Sequence, residues 1–164
     1  NNLYVDKTPF IELLEKKNIQ RALFLRPRKF GKSLWISTLW HYYDEYYKDE
    51  FEALFGDLYI GKHPTPLKNR YKVLFLEFSG IETENSTKIR KAFNSNVYLY
   101  LSLFLDRYGY NIELDRGLDA DEMLKIFLRI VQDEKIYLLI DEYDHFANSI
   151  LAKDRKVFKE MTKD

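Results

Sequence analysis

Residues suited to chemistry are concentrated in two short blocks of this sequence. The first, Arg26-Pro27-Arg28-Lys29-Phe30-Gly31-Lys32-Ser33, matches GxxxxGK(S/T) at every fixed position except the first, where Arg26 stands in place of glycine. Each residue type has a physical reason to be there. Gly31 lets the backbone approach phosphate oxygens, and the N–H groups of the loop and of the next helix's first turn then point at the anion. Lys32 brings a point charge to the β- and γ-phosphates, and the Ser33 hydroxyl completes a Mg²⁺ site. Pro27 lacks an N–H, but it lies early in the loop, where its fixed φ stiffens the turn that glycine would have made. The expected binding run is Arg26, Pro27, Arg28, Lys29, Phe30, Gly31, Lys32, Ser33 and Leu34, with ATP as ligand and Mg²⁺ as its ion.

The second block is Ile136-Tyr137-Leu138-Leu139-Ile140-Asp141-Glu142, an apolar run closing on two carboxylates. In the Walker B arrangement the aspartate, here Asp141, holds Mg²⁺ together with Ser33. The adjacent Glu142 orients or deprotonates the attacking water. Taken alone, such a block reads equally well as a strand ending in solvent, with Asp141 or Asp144 capping the next helix. The phosphate loop about 110 residues upstream favours the catalytic reading, because a shared metal needs both ends.

Alternating elements would position these blocks. Thr8 before Pro9 opens a helix to about Lys17, with Phe10, Ile11, Leu13 and Leu14 as its apolar residues. Ala22–Leu25 is expected to be a short buried strand leading into the loop. A helix follows from Ser33, with Ile36, Leu39, Tyr43 and Tyr46 or Tyr47 at helical spacing. Phe51–Leu58 reads as a further helical turn or two, and the stretch from Gly61 to Arg70 as a loop. Val73–Phe78 reads as a second strand. A helix from about Ser86 to Tyr108 closes on Gly109 as a C′ residue. Asp119 and Glu122 form a capping box before a helix facing inward with Leu124, Phe127, Leu128 and Val131. Ile136–Ile140 is a third buried strand, and residues after Phe146 read as helical. Strands alternating with helices predict a parallel sheet with helices on both faces, and ligands in such sheets bind beyond the carboxyl ends of the strands.

Composition sets outer bounds. Lys+Arg and Asp+Glu are both 26, so no net field draws in nucleic acid or anionic membrane. There is no cysteine, which excludes disulfides and thiolate chemistry and sits easily with a cytoplasmic home. His41, His63 and His145 lack metal-ligand spacing. Tyr42, Tyr43, Tyr46 and Tyr47, like Tyr98 and Tyr100, read as helix packing and not as a base-stacking platform. No apolar run approaches the roughly 20 residues of a membrane helix, and no membrane partner is expected.

Four blocks carry a family resemblance: Tyr4-Val5-Asp6-Lys7-Thr8, Leu25 to Leu34, Leu76-Glu77-Phe78-Ser79 and Ile140-Asp141-Glu142-Tyr143-Asp144. Together they resemble the predicted AAA-ATPase-like family of bacterial proteins, in which arginine also stands where the first loop glycine is expected. The family usually has aspartate at Glu77 and Lys-Pro at His145-Phe146. The resemblance implies a three-layer P-loop NTPase fold of the additional-strand type, ATP binding, and a nuclease-like domain downstream that reaches nucleic acid. It also makes Tyr4 and Asp6 candidates for an adenine-side segment, and leaves homo-oligomerisation open.

Residues 1–164 are thus expected to be the N-terminal part of one AAA-like ATPase domain, with Walker A at 26–33 and Walker B at 136–142 and the later strands absent. The expected function is Mg²⁺-dependent ATP binding and hydrolysis by Glu142, coupled to a larger protein. The alternatives are a nucleotide-dependent switch without turnover and a DNA-binding module. A further expectation concerns the sheet: 22–25 and 136–140 should flank a gap where a later strand belongs, or close onto each other in a non-native pairing, leaving an open edge and marginal stability.

Overall fold

The computed structural model describes residues 5–25, 30–79 and 86–143. Among these residues there are six α-helices: α1 (Pro9–Lys16), α2 (Lys32–Tyr43), α3 (Phe51–Phe55), α4 (Tyr59–Lys62), α5 (Ser86–Arg107) and α6 (Ala120–Ile130). Two strands, β1 (Lys72–Glu77) and β2 (Ile136–Asp141), pair directly. Lys72 N–H donates to the Lys135 carbonyl at one end, and Phe78 N–H to the Asp141 carbonyl at the other. Both residue numbers rise together along the ladder, so the pair is parallel. The predicted α/β class and parallel pairing are therefore present.

The chain divides into two compact units, residues 1–73 with 135–137, and residues 74–134 with 138–164. In the first unit, α1 starts as expected, with Pro9 in its first turn. Ile11 of α1 and Leu39, Tyr42 and Tyr43 of α2 are almost fully buried. A hydrogen-bond chain joins these helices to the loop after α4. Tyr43 Oη donates to Glu15 Oε1 at 3.0 Å, and Thr65 Oγ1 donates to the same oxygen at 2.6 Å. Tyr42 Oη, 2.8 Å from Thr65 Oγ1, must then be the donor to it, and it accepts from Thr65 N–H. Every polar atom carried inward by these tyrosines is satisfied, as burial requires.

Helix α2 stops at Tyr43, earlier than the aromatic spacing predicts. Asp44 is fully buried, accepts from Trp40 Nε1 at 2.9 Å and caps a 3₁₀ turn over Glu45–Glu50 through Tyr46 N–H. Its backbone bridges to Tyr71, which bends the chain out of the helix. Tyr46 is consequently exposed, so packing accounts for Tyr42 and Tyr43 but not for Tyr46.

In the second unit, α5 and α6 pack through Phe104 and Phe127, whose rings meet edge-on at 5.0 Å. Gly109 has φ +74°, and its N–H reaches the Asp106 carbonyl while Tyr110 N–H reaches that of Leu105. That is the Schellman ending expected of a C′ glycine. Asp119 N–H donates to Glu122 Oε2 in the predicted capping box. The inward face of α6 agrees with the prediction at Phe127 and Val131 and differs at Leu128. Ala120, Met123, Phe127 and Val131 are buried while Leu128 is 60% exposed, because the buried stripe passes through Met123 on one side of Phe127 and not through Leu128 on the other.

Two strand expectations need correction. Residues 22–25 form no strand, and Leu23 and Leu25 are 65% and 77% exposed. A short strand needs a neighbour to take its N–H and C=O groups and a face to bury, and among the described residues 22–25 have neither, since the sheet is the β1–β2 pair. The expected gap between 22–25 and 136–140 accordingly has no counterpart among the described residues. Strand β2 is also only half-buried: Leu139 and Asp141 face inward, whereas Leu138 and Ile140 are exposed. The helix expected after Phe146 lies outside the described residues.

Candidate functional site

Gly31 is the N-cap of α2, with φ +78° and ψ +27°. A side chain at this left-handed position would cost roughly 1–2 kcal/mol, which explains the residue type. Having no side chain, Gly31 cannot cap α2, and no acidic residue occupies the first turn. Lys32, Ser33 and Leu34 follow as its first three residues, and Trp35 N–H closes the first helical bond on the Gly31 carbonyl at 2.9 Å. A helix start without a carboxylate cap keeps the positive end of its dipole for an external anion. Phe30 and Leu34 are exposed, at 58% and 56%. Arg26, Pro27, Arg28 and Lys29 lie outside the described residues.

Beside this helix start is a cavity of about 180 Å³. Its apolar wall includes Phe10, Leu13 and Leu14 of α1, with Phe24, Phe30 and Trp35. Phe24 and Trp35 meet edge-on at 6.0 Å. Three lysines, Lys7, Lys17 and Lys32, also line it, and Gly31 contributes backbone. An apolar lining that also carries cationic groups suits a ligand with an apolar part and an anionic part.

Asp6, expected as an adenine-side candidate, has a structural job. Its Oδ1 accepts from Thr8 N–H and Oγ1 at 2.8 and 2.7 Å, and its Oδ2 accepts from Tyr59 N–H at 2.8 Å. Burial alone would raise the Asp6 carboxyl, but these bonds from Tyr59 and Thr8 outweigh it and hold the group below the usual range. Thr8, fully buried, accepts in turn from Ile60 N–H at 3.2 Å. Tyr4 lies outside the described residues.

In the second unit, Asp141 ends β2 and is 5% exposed. Its Oδ1 accepts from the N–H of Glu142 at 2.8 Å. Glu142 sits at φ +56°, an uncommon conformation for a residue with a side chain and one that concentrates at functional sites. Glu77, at the end of β1, accepts from Ser79 N–H at 2.8 Å and from Tyr100 Oη at 3.3 Å. Burial first, and then the Glu77 carboxylate, push the Tyr100 hydroxyl upward.

The structure therefore brings Phe30, Gly31 and Lys32 to one cavity and sets Asp141 beside Glu142 at a strand end. It adds two residues that sequence reading left without a role. Lys7 has no acid three or four positions later to pair with, which was the available clue. Trp35 lies four residues after Gly31, a spacing that returns to the same side of the helix start. Among the described residues no three histidine, aspartate or glutamate side chains gather as a metal site, and no helix is long and apolar enough to cross a membrane.

Parallel α/β pairing with a helix that opens on a Gly-Lys-Ser sequence is compatible with a P-loop-like domain. The chain belongs to the AAA-ATPase-like family, described as predicted AAA-ATPase, whose model matches residues 1–164. Searches of curated proteins and of solved structures returned no match. Membership in this family supports a nucleotide as ligand.

Proposed function

We propose that this domain binds ATP with Mg²⁺ and hydrolyses it within an additional-strand P-loop fold, coupled to a larger protein. The observation that carries the reading is Gly31, left-handed and uncapped at the start of an acid-free α2, with Lys32 immediately after it. In this reading the first-turn amides of α2 and Lys32 bind phosphate oxygens, while the aromatic wall beside them takes the base. Arg26, Pro27, Arg28 and Lys29 complete the loop around the phosphates. Ser33 and Asp141 are the metal-binding side chains, as their two sequence motifs suggest. A site of this kind needs no large acidic cluster, since Mg²⁺ keeps several waters and takes one or two protein oxygens plus phosphate. When bound, the ion neutralises charge on the phosphate oxygens. Glu142 takes the proton of the attacking water.

The experiment is a calorimetric titration of the protein with ATP, with and without Mg²⁺. Saturable binding that tightens with the metal supports the reading. A protein that takes up no ATP under either condition overturns it.

A further inference from the structure

We infer that Lys7 is a second phosphate-binding lysine beside Gly31, in addition to Lys32; the inference rests on the ATP-binding reading above. Lys7 Nζ lies 3.5 Å from the point a Cβ on Gly31 would occupy. Its ammonium is therefore in van der Waals range of the one backbone position that the loop keeps free of a side chain. Both lysines line the same cavity.

The neighbours of Lys7 explain why it points there and why its charge is available. Asp6 and Thr8, on either side, are fixed to the start of α4 by bonds from Tyr59 N–H and Ile60 N–H. That leaves Lys7 to turn toward Gly31. The nearby acids are occupied: Asp6 by Thr8 and Tyr59, and Glu12 by Lys16 at 2.6 Å and Tyr59 Oη at 2.8 Å. Among the described residues the Lys7 ammonium has no hydrogen-bond or ion-pair partner. Trp35, which lines the same cavity, is 9% exposed, and its buried indole N–H has no acceptor among the described residues. An orphaned buried donor is costly, so this wall of the cavity is not a fully satisfied piece of core. A nucleotide presents acceptors along its length and phosphate charge at one end.

The test titrates Mg²⁺-ATP into wild type, Lys7→Gln, Lys7→Arg and Lys32→Ala, each shown to be folded by circular dichroism under the titration conditions. Lys7→Gln keeps much of the length and loses the charge; it should weaken ATP by about 5- to 20-fold, the scale of a partly exposed charged hydrogen bond. Lys7→Arg should stay within about threefold of wild type, because the charge remains. If Lys7→Gln binds like wild type while Lys32→Ala loses affinity, Lys7 is a bystander and the inference fails alone. If Lys7→Arg falls as far as Lys7→Gln, a packing role replaces the charge role and the inference again fails. A wild-type protein that does not bind ATP removes both this inference and the function it rests on.

Discussion

Tyr43, the last residue of α2, donates its hydroxyl to Glu15 of α1 at 3.0 Å, while its ring stacks on Tyr137 of β2 at 4.6 Å. One side chain thus ties the far end of α2 to a neighbouring helix and to the sheet. Replacing it with phenylalanine keeps the stacking and removes only the bond to a carboxylate. Tyr43→Phe should cost about 1–3 kcal/mol in urea denaturation, with an unchanged m-value. Glu15 would retain its bond from Thr65, so a larger loss would mean that the network acts as a unit.

The same tyrosines set an alkaline limit. Burial pushes the Tyr137 hydroxyl from 10.0 up to about 12. Burial, followed by the Glu15 carboxylate, also raises Tyr43. The folded state therefore holds these protons more tightly than the unfolded chain, which releases them near 10. The stabilisation is fully present below pH about 10 and is lost as pH rises through about 12. Thermal melts across that window should show Tyr137→Phe losing less stability with pH than wild type. Parallel losses in the two proteins would mean that Tyr137 contributes nothing to the limit.

Binding and chemistry should separate between the two motifs. Lys32→Ala is expected to weaken ATP by about 1.5–3 kcal/mol, roughly 10- to 150-fold. Glu142→Gln should leave ATP affinity nearly unchanged and slow turnover by on the order of 10²–10⁴, the usual share of a general base. Calorimetry and a phosphate-release assay on the same preparations check both. Normal turnover by Glu142→Gln would take the catalytic role away from that residue.

The shifted stripe of α6 gives a paired test. Phe127 is 1% exposed against Phe104, whereas Leu128 beside it is 60% exposed. Phe127→Ala should cost about 3–5 kcal/mol. Leu128→Ala should stay within about 0.5 kcal/mol. Equal losses in chemical denaturation would restore the face read from the sequence.

Local chemistry was legible in the sequence wherever a residue type leaves few conformations open. Gly31 and Gly109 both adopt positive φ, at a helix start and a helix end, and Asp119 with Glu122 forms the capping box its spacing predicts. Pro9 fixed the start of α1, and the family followed from blocks such as Leu25 to Leu34. These signals act within a few residues, so the chain specifies them without help. Tertiary structure decided everything that depends on a distant neighbour. Residues 22–25 are apolar enough for a strand but form none, because no neighbouring strand among the described residues pairs with them or covers their side chains. Helix α2 ends at Tyr43 because Asp44 bridges to Tyr71, and α6 buries Met123 and not Leu128 because α5 lies on that side. Lys7 is one lysine among many in the sequence. Only the anchoring of Asp6 and Thr8 to α4, more than 50 residues on, turns it toward Gly31.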